Sequence, residues 1–285
     1  MNQTEQGNKG MVHIVGAGSG AADLITVRGM HFLEKADVVI YAGSLVNPAL
    51  LDYCKEGCRI FNSAEMTLEE VLSCIEEASE KGEMIVRLHT GDPSLYGAIQ
   101  EQMDVLREKG IPFDITPGVS SFSGAAAAVQ REFTLPGISQ SLILTRMEGR
   151  TPVPERESLK KMAEHGCSMA LFLSAGMTEA VQEALLAGAY TEDTPIAVVY
   201  KATWPEQRIL RCHLGNFAEE VKKAGITKTA QILVGDFLEA SPEDSSHADG
   251  VIAGEDTGTQ PVSYERSKLY DPGFTTEFRK GTDTE

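Results

Sequence analysis

A chain of 285 residues with 42% hydrophobic content is long enough for one large or two ordinary domains with a real core. It holds no run of about 18 apolar residues, so no transmembrane helix is expected, and the polar start MNQTEQGNKG lacks the apolar stretch of a secretory signal. A formal charge of −17 argues against a nucleic-acid-binding face, and the five cysteines, with no second Cys or His pair near Cys54 and Cys58, read as reduced thiols of a cytoplasmic protein, with no metal site.

The first half alternates short apolar runs with helical stretches. MVHIVGAG (11–18) reads as a strand ending in glycines, followed by a helix from Asp23 to Lys35 and a second strand, ADVVIYAG (36–43). In MTLEEVLSCIEEASEKG (66–82), Thr67 suits an N-cap with Glu70 at the third helical position, and Leu68, Val71, Leu72 and Ile75 share one face. MIVRL (84–88) is a third strand, and a helix is expected from Leu95 to Lys109. Strands alternating with helices imply a parallel sheet.

The pattern then restarts. A Pro-Gly turn and an Ala-rich helix occupy 116–130, and SLILTR (141–146) is a strand before the proline-bearing loop GRTPVPE (149–155). SMALFLSAG (168–176) and PIAVVYKAT (195–203) read as strands around a helix from Thr178 to Ala187, QRILRCHL (207–214) as a hairpin partner, and QILVGDFL (231–238) as the last strand. The expected architecture is two α/β domains, 11–117 and 118–239, without tandem repeats. Residues 240–263 are rich in Ser, Gly, Asp and Glu and read as a disordered linker. The tail, 264–285, regains Leu269, Tyr270, Phe274 and Phe278 and is expected to dock through them.

Gly16-Ala17-Gly18-Ser19-Gly20-Ala21 fits G-x-G-x-x-A, the fingerprint of a dinucleotide site. Such a site needs a carboxylate at the end of the second strand for the ribose hydroxyls, and that strand ends Ile40-Tyr41-Ala42. A tight turn that lets helix and strand pack closely is the simpler reading. A G-x-S-x-G nucleophile elbow is absent, since Gly43-Ser44 lacks its second glycine.

A different series is more specific. Asp23-Leu24-Ile25-Thr26, Arg28-Gly29, Leu33 and Ala36-Asp37-Val38-Val39, with Gly91-Asp92-Pro93 and Pro117-Gly118-Val119-Ser120-Ser121, resemble the tetrapyrrole methylase family. YAGSLVNPALL (41–51), RLHTGDPSLYGAIQEQ (87–102), TPGVSSFSGAAAA (116–128), the run from FTLPGISQSLILTR to GRTPVP (133–154) and SKLYDPGFTTEFR are similar to its members that act on corrin precursors. The resemblance spans 11–238 plus the tail. It implies two α/β domains of the tetrapyrrole methylase type with an active-site trough between them. It also implies a cytoplasmic homodimer that transfers a methyl group from S-adenosyl-L-methionine to a tetrapyrrole. Methyltransferases of the same fold that act on ribosomal RNA or diphthine are disfavoured by the acidic charge and the corrin-type segments.

The resemblance assigns site residues in turn. Thr90, Gly91, Asp92 and Leu95 would line the cofactor pocket, with Asp92 alternatively capping the next helix. Ser120 and Ser121 would contact the cofactor or cap a helix, and Ala202, Thr229, Ala230 and Gln231 would lie near the adenosine. Leu173 or Ser174 stands where relatives carry a methionine, and Ser19 where many carry a proline, without an assigned contact there. Tyr41, Ser44, His89, Arg146, Arg150 and Lys201 are candidates for the substrate and its carboxylates. Tyr96 either stacks on the macrocycle or fills core, and Arg87 is expected in an internal ion pair. His89, beside the turn, is a candidate general base, though a lone histidine at a strand end is more often structural; transfer from a sulfonium to an electron-rich carbon chiefly needs alignment and does not demand a base.

Overall fold

The computed structural model describes residues 9–242 and 262–282. The chain divides into two compact units: Met1–Gly124 with Lys201–Gln207, and Ala125–Tyr200 with Arg208–Glu285.

The first unit is built on five parallel strands in the order β3-β2-β4-β1-β5. These are β1 (Val12–Gly16), β2 (Val38–Tyr41), β3 (Arg59–Asn62), β4 (Ile85–His89) and β5 (Phe113–Thr116). Successive side chains point to opposite faces, so the central strands feed two cores. Ile14, Val38, Ile40 and Ile85 pack with Val71, Ile75 and Ala78 of α2 (Leu68–Glu80) and with Met103 and Leu106 of α3 (Gln100–Glu108). Val15, Val39, Val86 and Leu88 pack with Leu33 of α1 (Val27–Lys35) and with Val46 and Leu50.

Local chemistry sets the helix starts. Thr67 and Glu70 form the expected capping box, with Glu70 N donating to Thr67 Oγ1 at 3.3 Å and Thr67 N donating to the Glu70 carboxylate at 2.7 Å. Helix α1 begins at Val27, later than expected, because Thr26 caps it by accepting from Gly29 N. Helix α3 begins at Gln100 because Tyr96 and Ala98 hold φ of 57° and 50°, outside helical space. The short edge strands β3 and β5 carried too weak a pattern to be expected. Asp114 interrupts β5 and accepts from or pairs with His13 Nδ1 at 2.8 Å.

The second unit carries a mixed sheet, β6-β7-β10-β8-β9. Its strands are β6 (Leu142–Arg146), β7 (Ser168–Phe172), β8 (Pro195–Tyr200), β9 (Arg208–His213) and β10 (Ala230–Val234). β6 and β7 are parallel, β8 and β9 form the expected hairpin, and β10 lies antiparallel between β7 and β8. The sheet is therefore mixed, with the hairpin the sequence suggested at one edge. The core gathers Leu171, Ile196, Val198 and Ile232 with residues of α5 (Leu159–Ala163), α6 (Thr178–Leu186) and α7 (Phe217–Lys223). Helix α4 (Ser121–Val129) contains the passage from the first unit to the second.

Residues 243–261 of the expected linker lie outside the described residues. At its two ends β11 (Ser241–Pro242) pairs in parallel with β12 (Ser263–Tyr264), and Glu265 N donates to Pro136 O. The tail is held by backbone bonds and by Arg279, whose guanidinium donates to the carbonyls of Leu269, Asp271 and Phe274. Its apolar side chains do not pack on this chain: Leu269, Tyr270, Phe274 and Phe278 are exposed, Phe278 to 93%. Among the described residues no helix is long and apolar enough to cross a membrane.

Three glycines bring the ends of β1, β4 and β5 together. A Cβ on Gly16 would lie 2.6 Å from both Gly118 N and Gly91 O, and one on Gly118 would lie 2.1 Å from Gly91 O. These neighbours are backbone and cannot rotate away. Gly118→Ala is therefore expected to destabilise the protein by about 1–3 kcal/mol or more through overpacking, read as a lower urea midpoint at unchanged slope. A midpoint equal to that of the natural sequence would show that the three segments part easily.

Candidate active site

The turn Thr90-Gly91-Asp92-Pro93 leaves β4 directly at the glycine contact. Gly91 and Gly18 form an isolated antiparallel bridge, with Gly91 N donating to Gly18 O at 3.0 Å and Gly18 N donating to Gly91 O at 3.3 Å. Asp92 closes the arrangement. Its Oδ2 accepts from Gly118 N at 2.9 Å, and its Oδ1 accepts from Ser94 N at 2.9 Å and from the Ser94 hydroxyl. Burial alone would raise the Asp92 pKa, but the bonds from Ser94 and Gly118 outweigh it and hold the carboxyl below its ordinary value. Asp92 thus caps its own turn and staples it to the Pro117-Gly118 turn. It does not cap α3.

Polar groups without partners surround this staple. Among the described residues, Thr90 Oγ1, Thr116 Oγ1 and His89 Nε2 are buried and bonded to nothing. His89 is only 4% exposed, and burial, followed by the charge of Arg87, lowers its pKa to about 3. The imidazole is therefore neutral at physiological pH. Arg87 is not in the expected ion pair: Nε donates to Gln102 Oε1 at 3.1 Å and an Nη to Ile40 O at 3.1 Å, both neutral acceptors. Burial lowers its pKa to about 10, which still leaves it charged.

The other candidates of the first unit lie on neighbouring segments. Ser120 is buried and its carbonyl accepts from Ser123 N and Gly124 N, while Ser121 opens α4. Leu95 is half-buried in the turn after Asp92, and Tyr96 is exposed. Tyr41 ends β2 and packs on the α1-side core. Ser44 lies in the following turn, Gly43–Leu45, and its side chain is outside the described residues. Ala202 is buried, and the Lys201 ammonium stands 4.9 Å above the Trp204 ring, 3.7 Å from Glu206. The glycine loop does not open a helix, as a dinucleotide site requires: α1 starts six residues after Ala21.

In the second unit the candidates collect at one end of the sheet. The register pairs Arg146 with Phe172 and Ala230 with Tyr200. Arg146 is occupied, donating to the carbonyls of Met147, Thr151 and Pro152, so it shapes the loop 147–152; Arg150 on that loop is exposed. Ser174 is fully buried, donating to Phe172 O and accepting from Met147 N, whereas Leu173 is 68% exposed at φ 53°. Thr229 is also left-handed, at φ 57°, and Gln231 donates to Leu171 O. Sequence reasoning missed Asn47 and Thr203, which grip the glycine loop at Gly20 O and Ala21 N. The only hint was the sole tryptophan of the chain, beside Thr203.

The family model "Tetrapyrrole (Corrin/Porphyrin) Methylases" matches residues 11–218, most of the chain. The chain belongs to the tetrapyrrole methylase family. A relative from Methanocaldococcus jannaschii, named cobalt-precorrin-4 C(11)-methyltransferase, is 48% identical over 96% of this chain and 97% of its own. Another of the same name, from Priestia megaterium, is 44% identical over 96% of this chain and 99% of its own. The X-ray structure of a cobalt precorrin-4 methyltransferase of cobalamin biosynthesis matches with a TM-score of 0.78 at 46% identity, covering 80% of this chain and 95% of that one. The expected α/β class holds for both units, one with a parallel sheet and one with a mixed sheet.

Burial of a neutral His89 has a measurable consequence. Between the ordinary value of 6.5 and about 3, the unfolded chain binds a proton that the native fold refuses. This contribution to stability is fully present above pH 6.5 and is lost as pH falls through that window. His89→Gln is expected to flatten the decline: the natural protein's urea midpoint should fall more steeply than the variant's from about pH 7 to about pH 4.5. Parallel curves would mean that His89 protonates in the native state.

Proposed function

We propose that this chain transfers a methyl group from S-adenosyl-L-methionine to C11 of precorrin-4 or its cobalt complex, in corrin ring synthesis. The observation that carries the reading is the near-full-length likeness, at 48% and 44% identity, to relatives named for that reaction. The strand-end chemistry agrees with it. The two titratable groups nearest the turn are unsuited to moving protons: His89 is held neutral and buried, and Asp92 is consumed by three hydrogen bonds. A methyl transfer asks for alignment of two reactants, an effect worth up to roughly 7–11 kcal/mol.

The residues suit the donor. The unpartnered Thr90 and Thr116 hydroxyls lie at the ends of β4 and β5, where ligands of open α/β sheets bind. Gly91, at φ 60°, has no atom closer than 3.6 Å to where its Cβ would be, so a ligand can approach the backbone there. When bound, the donor supplies an electrophilic methyl carbon on its sulfonium. Thr90, Gly91, Leu95, Ser120, Ser121 and Ala202 hold it, and Asp92 keeps their two turns in register. Thr229 and Ala230 keep their assigned contacts from the resemblance. Tyr41, Ser44 and His89 remain on the acceptor side. Arg146 contributes by shaping the loop that exposes Arg150 to a carboxylate, and Lys201 by a cation placed over Trp204. A homodimeric, cytoplasmic enzyme completes the reading.

Titration calorimetry tests it. S-adenosylhomocysteine is expected to bind in the micromolar range and NAD to give no heat. Asp92→Ala is expected to lose most of the affinity by releasing the turn from Gly118. Precorrin-4, with and without cobalt, should then gain a single methyl group by mass spectrometry. A folded protein that binds no S-adenosylhomocysteine would sink the reading.

A further inference from the structure

The loop Gly18–Ala21 is clamped from sequence positions far away. Thr203 Oγ1 accepts from Ala21 N at 3.0 Å and shares a hydrogen bond with Ser19 Oγ at 3.1 Å. Asn47 Nδ2 donates to Gly20 O at 2.8 Å. The Trp204 indole stands so close that a Cβ on Gly20 would lie 2.1 Å from its Cδ1 and 2.7 Å from Ala202 O. Gly124 closes the far side, where a Cβ would lie 2.6 Å from the Ser19 side chain.

Thr203 is itself in a costly conformation. It holds φ 68°, a region a β-branched residue rarely enters, and Lys201 two positions earlier holds φ 46°. The conformation is fixed by Thr203 N donating to Gln207 Oε1 at 2.7 Å and Trp204 N donating to Lys201 O at 3.0 Å. A backbone so constrained serves to aim the threonine hydroxyl. The loop it grips is bridged on its other side to Gly91. It therefore joins two segments assigned to the donor: the Thr90–Pro93 turn, through Gly18, and Ala202, through Thr203.

We infer that Thr203 is a positioning residue for the methyl donor: its hydroxyl locks the Gly18–Ala21 loop as a brace that sets the spacing between Gly91 and Ala202. In this role Thr203 acts through the loop, by its bonds to Ser19 and Ala21. This rests on the proposed methyltransferase reading.

Thr203→Val keeps the branched shape and removes both bonds of the hydroxyl, while Thr203→Ser keeps them. S-adenosylhomocysteine affinity, measured by calorimetry on the full chain, should weaken about five- to tenfold in Thr203→Val and stay within about twofold of the natural protein in Thr203→Ser. A merely structural role would instead lower the melting temperature and leave the affinity of the folded protein unchanged. If Thr203→Val does not fold, Ser19→Ala removes only the 3.1 Å bond and should weaken binding about two- to threefold. Equal affinity in folded Thr203→Val, an equal loss in Thr203→Ser, or, where the valine variant is unfolded, no change in Ser19→Ala overturns the inference alone. A natural protein that binds no S-adenosylhomocysteine removes the methyl-donor reading and this inference with it.

Discussion

Backbone lies directly on backbone where β1, β4 and β5 end, and the rest of the first unit is arranged around that contact. Gly16 and Gly118 lie so close to the Gly91 carbonyl that neither could carry a side chain. Approach alone does not fix register, and polar bonds complete it. The Gly18–Gly91 bridge ties β1 to the β4 turn, and the Asp92 carboxylate ties that turn to Gly118. Charge-assisted bonds to backbone N–H are stronger than neutral ones. They leave Asp92 with a depressed pKa and both carboxylate oxygens engaged in the two turns.

Such a site has consequences for its chemistry. Around it lie the buried hydroxyls of Thr90 and Thr116 and a histidine whose burial lowers its pKa to about 3. Buried polar atoms without partners are costly, at roughly 1–3 kcal/mol each. Three of them, Thr90 Oγ1, Thr116 Oγ1 and His89 Nε2, fall within a few residues of the same strand ends. The fold tolerates this because the cores on both faces of the sheet are continuous and apolar.

Much of this was legible in the sequence. The alternation of strands and helices, the Thr67–Glu70 capping box and the turn at 90–93 follow from local chemistry that leaves a one-dimensional trace. Of the segments that carry the resemblance, the fold brings 91–92 and 118–120 together in the first unit. What escaped was set by tertiary contact. The insertion of β10 antiparallel between β7 and β8 depends on pairing between strands about 60 residues apart, such as Ile232 with Leu171. Residues 201–207 return to the first unit for packing against Gly20, which no periodicity records. Arg87 looked like half of an ion pair because a buried charge usually has a counter-charge; here Gln102 and a carbonyl take its hydrogens instead.

The distribution of backbone strain ties these observations together. Seven residues other than glycine hold positive φ among the described residues, and six of them, Tyr96, Ala98, Leu173, Lys201, Thr203 and Thr229, sit in segments adjoining strand ends where ligand contacts are assigned. Each such residue costs of order 1–3 kcal/mol and persists only where its surroundings over-determine it. Gln130, the seventh, simply ends α4 and needs no functional account. Glycine takes eleven further positive-φ positions among the described residues, and at 16 and 118 it stands where backbone meets backbone. Leu173, by contrast, is a large apolar side chain held left-handed with 68% of its surface open.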